Sequence, residues 1–197
     1  MPSPHYAISE AFLVGAALWA GFVLMRHNHT LAAMGTLLFG MIAAIGVWRF
    51  GTNAIEEWAE FHRAASLTGG VVALGLILGE LILLRFTLAL ETAAQTALVG
   101  VALFLGGVGF LYPSLATPLA LLMLVGCVLV AALLPAANMV EKVAAPAIFG
   151  LFLVNAGLVR QSTLLGPDLS WHLYHMLIGI WCLGLTWIFS VKRSSAR

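Results

Sequence analysis

Three residues near the end of the chain are of types and at a spacing that could do chemistry together. Asp168, His172 and His175 lie within Gly166-Pro167-Asp168-Leu169-Ser170-Trp171-His172-Leu173-Tyr174-His175. At i, i+4 and i+7 they stack on one stripe of a helix. Imidazoles bind divalent metals and carry protons, and a carboxylate beside them can orient a ring or act as a base. A further histidine, His62, opens an earlier apolar run at the same expected membrane depth. Zinc takes four N, O or S ligands and keeps one position open where it is catalytic. The expected shell is therefore His62, His172 and His175 around zinc, with Asp168 or Glu57 as general base.

Other polar residues compete for the same chemistry. The segment from Arg49 to Arg63 is the longest polar stretch. Its Asn53, Glu57 and Glu60 share one helical stripe, and Trp58 and Phe61 suit headgroup depth, so an amphipathic interfacial helix is expected near 53–62. Its glutamates either face water only or reach over the bundle mouth toward the histidines. His27 and His29 are two apart, diverging by about 200° on a helix, and read as a solvated turn. Glu80, well inside an apolar run, needs a partner, and Arg85 or Arg26 is expected. Arg49 and Asn155 read as polar contacts between helices.

The elements that must position these residues are membrane helices. Apolar residues make up 62% of the chain and charged residues 9%, with mean hydropathy +1.04, which excludes an ordinary soluble domain. Net charge is +1, so nothing points to nucleic acid as a partner. A helix needs about 20 mostly apolar residues to cross a bilayer. Seven runs qualify, near 7–25, 30–49, 64–85, 89–111, 117–136, 141–159 and 170–190, giving an all-α bundle in a single domain, 1–197. Pro113, Pro118 and Pro135 punctuate the fourth and fifth runs. Gly106, Gly107 and Gly109 would admit a close neighbour. Cys127 and Cys182 sit in apolar runs and read as buried thiols. The first residues lack a basic n-region and cleavage site, so the first run is expected to stay as a span. No lysine lies in the seventh run, and no phosphate-binding glycine loop or Gly-x-Ser-x-Gly occurs.

Seven spans, Asp168, His172 and His175 on the last, and an earlier histidine in Ala59-Glu60-Phe61-His62-x-x-x-Ser66 resemble the superfamily of alkaline ceramidases and adiponectin-receptor-type proteins. The family spells its last motif His-x-x-x-His, against His172-x-x-His175 here. That resemblance implies a zinc-dependent, membrane-embedded hydrolase of a lipid-like amide or ester, with membrane lipids as its surroundings. Locally, His172-x-x-His175-x-x-x-Gly179 is also similar to the His-x-x-His-x-x-x-Gly helix of cytochrome oxidase subunit III, and Glu80 to that family's buried carboxylate. The second resemblance implies a non-catalytic subunit with membrane-protein partners.

Orientation follows from the basic residues. With the N-terminus outside, Arg26, Arg85, Lys142, Lys192, Arg193 and Arg197 fall at cytoplasmic ends, against Arg49, Arg63 and Arg160 outside. The expected topology is N-terminus outside and C-terminus cytoplasmic. A reporter fused after Arg197 should then read as cytoplasmic and one inserted at Thr163 as extracytoplasmic; the opposite pattern would reverse the assignment.

Overall fold

The computed structural model describes residues 4–86 and 92–194. They form seven α-helices: α1 (Tyr6–Arg26), α2 (Thr30–Gly51), α3 (Ala59–Arg85), α4 (Thr92–Leu111), α5 (Pro113–Ala132), α6 (Met139–Val154) and α7 (Gly166–Ser194). A π-helical turn, Asn155–Val159, continues α6. All seven are long and apolar enough to cross a bilayer, and no strand occurs among the described residues. The protein is an all-α, integral membrane bundle. The expected spans agree to within five residues at each end: α3 begins five residues early, α5 and α7 each begin four residues early, and 89–91 lie outside the described residues.

The helices pack in two unequal sets. α1 lies against α2 and α7, α2 against α3, α3 against α4 and α5, and α6 bridges α5 and α7. In α1, α2, α3 and α7, 44–50% of the spanning window is buried, against 17–22% in α4, α5 and α6. The first set therefore makes the core, and the second turns most of its surface outward. Small residues set the closest approaches, because helices in lipid associate through packing rather than through exclusion of water. A Cβ on Gly35 of α2 would stand 2.5 Å from the Ala73 carbonyl oxygen of α3, so only glycine fits there. Trp181 of α7 is fully buried among Phe39, Phe149 and Phe152, at ring separations of 4.6–6.0 Å.

The expected interfacial helix near 53–62 is not formed. Residues 52–58 are turns, and 59–62 belong to the first turns of α3. Asn53 takes φ 61°, a left-handed position that asparagine tolerates, and reverses the chain just past α2. Arg49 then donates its Nε–H to the Ile55 carbonyl at 2.7 Å, and Ile55 is buried beside Tyr6 and Phe50. Drawing Ile55 into the core leaves no apolar stripe to lie along a bilayer.

At the other end of the bundle Glu80 does not pair with Arg85 or Arg26. One carboxylate oxygen accepts the backbone N–H groups of Leu31 (2.9 Å) and Ala32 (3.4 Å), the otherwise unpaired donors at the start of α2. Its other oxygen stands 3.1 Å from Nδ1 of His29. Nε2 of His29 donates to the Phe189 carbonyl of α7 at 3.2 Å, since a carbonyl can only accept. His29 is thus buried, not part of a solvated turn. The pair ties α2, α3 and α7 together, so Glu80→Ala should lower stability by about 3–5 kcal/mol, the usual cost of breaking a buried ionic contact from one side. Thermal unfolding in detergent checks this, and an unchanged midpoint would contradict it.

Candidate active site at one end of the bundle

The stripe expected on the last helix is real, and α1 meets it residue for residue. The Tyr6 hydroxyl donates to Asp168. Ser9 Oγ donates to the Tyr6 carbonyl at 3.2 Å, so at 3.0 Å it accepts from Nδ1 of His172. Glu10 faces His175, with Oε1 3.3 Å from Nε2. Residues 6, 9 and 10 of α1 therefore answer 168, 172 and 175 of α7, the pattern of two helices whose one-turn-spaced side chains share a seam.

Only part of the expected set converges. His62 enters from α3, with Nε2 4.0 Å from the same Glu10 oxygen. Glu10, His62 and His175 are all buried, at 1%, 5% and 8% exposure, an unusual depth for three ionisable side chains. His172 is held away on Ser9, with its ring 5.0 Å from that of His5. Asp168 is exposed and occupied by Tyr6. Glu57 is exposed in the 52–58 turns, where it lines a separate shallow hollow with Asn53, Ala54, Ile55 and Glu56. Glu60 pairs with Arg63 at 2.7 Å on the exposed face of α3. Among the described residues, no three of the His, Cys, Asp and Glu side chains already stand in a metal-holding arrangement.

Glu10 is the buried centre of this cluster, and sequence reasoning passed over it. It lies within an apolar run, the placement that marks Glu80 as significant. Gly46 of α2 makes room for it, since a Cβ there would lie 2.5 Å from Glu10 Oε1.

Hydrogen bonding fixes what the cluster can do. Nδ1 of His175 donates to the Trp171 carbonyl at 2.8 Å, which leaves Nε2 with a lone pair aimed at Glu10. Glu10 Oε1 has no hydrogen-bond partner of its own. Two buried acceptors facing each other require a cation between them, either a proton or a metal ion. Arg49 stands 3.5 Å from Nδ1 of His62, at the outer limit of a hydrogen bond. Both imidazoles line a cavity of about 370 Å³ between α3, α5, α6 and α7. The cavity is polar at the end formed by His62, His175 and Arg160 and apolar along Leu67, Leu124 and Phe152.

No protein-family model, no curated protein and no solved structure matches this chain. Gly46→Ala tests the packing around it. The added methyl must displace the Glu10 carboxylate and should cost about 1–3 kcal/mol, measured as a lower unfolding midpoint. Gly100→Ala, where nothing lies within 4 Å of the new carbon, serves as the control and should leave the midpoint in place.

Proposed function

We propose that the protein is a membrane-embedded, metal-dependent hydrolase of a lipid-like amide or ester, with its site at the outer face. Zinc would be held by Glu10, His62 and His175, with His175 and His62 kept from the expected shell and Glu10 in the place expected for His172. The observation that carries this reading is an unpartnered buried carboxylate oxygen facing two imidazoles that themselves line the polar end of a largely apolar cavity.

The donor set fits a zinc shell in three respects. With bonds of about 2.0–2.1 Å, neighbouring ligands in a tetrahedron stand about 3.3–3.4 Å apart, and the Glu10–His175 separation is 3.3 Å. Ligating histidines commonly donate their other N–H to a carbonyl or carboxylate, as His175 does to Trp171. A carboxylate with two imidazoles is an established set for catalytic zinc. Loading requires His62 to close from 4.0 Å to the spacing of its neighbour and to release its long Arg49 contact.

Zinc so bound supplies Lewis acidity, polarising a carbonyl and acidifying water. The chain's own residues supply the rest. The apolar wall holds an acyl chain and excludes water from it, while the polar end holds the group to be cleaved. In the reaction water's oxygen bonds to the acyl carbon and the C–N or C–O bond breaks. The proton from water leaves on the amine or alcohol. The excess of basic residues at the other end of the bundle supports this end as the outer one, shared with the N-terminus.

Metal analysis of detergent-purified protein tests the assignment. Wild type should carry stoichiometric zinc, and Glu10→Gln, His62→Ala and His175→Ala should each lose it while remaining folded. His172→Ala and Glu57→Gln should retain it. Metal-free wild type, with no hydrolysis of acyl amides or esters, would overturn the reading in favour of a non-catalytic subunit. Loss of zinc in His172→Ala alone would return the shell to the three histidines.

A further inference from the structure

Arg160 is the arginine or lysine that lines the cavity containing His62 and His175. It also lines a second, more open cavity of about 500 Å³ on its outer side, formed with Tyr6, Ser162, Thr163 and Ser170. Arg160, Gln161 and Trp171 border both spaces, so they form the junction between a polar vestibule and a largely apolar chamber. Among the described residues no carboxylate stands within ion-pair distance of the Arg160 guanidinium. It lies instead over the rings of Trp171 and Tyr174, 5.1 Å from each centroid.

Local structure holds the group there. Arg160 follows the π-helical turn Asn155–Val159, and its backbone N–H reaches the Asn155 carbonyl at 2.9 Å. π-turns inside helices are frequent at functional sites, because the extra residue re-aims the side chains after it. Asn155 itself is pinned by donating to the Tyr174 carbonyl at 2.8 Å, and Ser170 donates to the Val159 carbonyl at 2.7 Å. The shelf and the cation above it are thus tied to α7, the helix that carries His175. The guanidinium's donors remain available for an anion, and arginine's planar fork matches carboxylate or phosphate.

We infer that the ligand of this site is a single-chain amphiphile with an anionic headgroup, a carboxylate or a phosphate, gripped by Arg160 while its chain lies in the inner cavity. The inference rests on the reading of the cavity as a lipid-substrate site and names the substrate class. The scissile amide or ester falls between the two, beside His62 and His175, so the acidic group belongs to the portion released as amine or alcohol.

Binding, measured with a zinc chelator present so that no probe is cleaved, tests this separately from hydrolysis. Trp171 at the junction reports occupancy by fluorescence. The full chain in neutral detergent is titrated with N-hexadecanoylglycine, 1-hexadecanoyl-lysophosphatidic acid and the uncharged N-hexadecanoylethanolamine. At least one acidic probe should bind about tenfold more tightly than the neutral one, the scale of a hydrogen bond to a charged group. The tighter of the acidic probes identifies the headgroup. Arg160→Gln should abolish that preference and leave the neutral probe's affinity unchanged, whereas Arg160→Lys should keep part of it. Equal binding of all three probes to wild type would overturn the inference, as would an equal loss for every probe in Arg160→Gln. A retained preference with no hydrolysis would instead count against the hydrolase reading alone.

Discussion

The constraint on which this end of the bundle depends is the burial of one carboxylate. Glu10 lies at 1% exposure between α1, α2, α3 and α7. An ionisable group at that depth is costly unless its surroundings answer it. They answer it with His175 and His62, with Gly46 withdrawn to make space, and with Arg49 beyond His62. These residues come from α2, α3 and α7, so accommodating Glu10 of α1 also fixes how the four helices meet. The buried-half packing of those four helices, against the outward-facing α4–α6, follows the same division.

The opposite end solves a similar problem differently. Glu80 is equally buried, yet it is satisfied by backbone N–H groups at the start of α2 and by His29, whose other nitrogen is bonded to α7. Every polar atom of that contact has a structural task, and no cavity opens beside it among those described. Glu10 Oε1 has no such partner and borders residues that line open space. Two buried glutamate–histidine contacts of similar length thus differ in their surroundings, one tying three helices together and the other bordering residues that line open space.

The positioning of the candidate site follows from short-range features of the chain. His175 is held by a bond to the carbonyl four residues before it, which sets its ring and its tautomer. Arg160 is delivered by a π-turn, and Ile55 is pulled inward by Arg49 so that the 52–58 turns close over the end of α2. Rigid helices carry the side chains of the candidate site, and the turns beside them border its cavities, an arrangement that keeps side-chain geometry fixed.

Much of this was legible in the sequence. Seven apolar runs of spanning length fix the fold class, because a chain in lipid must satisfy its backbone within each helix. The i, i+4, i+7 spacing fixes Asp168, His172 and His175 on one stripe, since helix geometry is local. What that stripe meets is not local. Tyr6, Ser9 and Glu10 lie more than 160 residues away, and only the docking of α1 on α7 decides that Asp168 is taken by a tyrosine, His172 by a serine and His175 by a carboxylate. The same docking turns His172 away from His62 and brings Glu10 between His62 and His175. Spacing along a helix names the residues that share a face; the tertiary structure alone chooses what stands opposite them, because that choice depends on the packing of side chains from helices far apart in sequence.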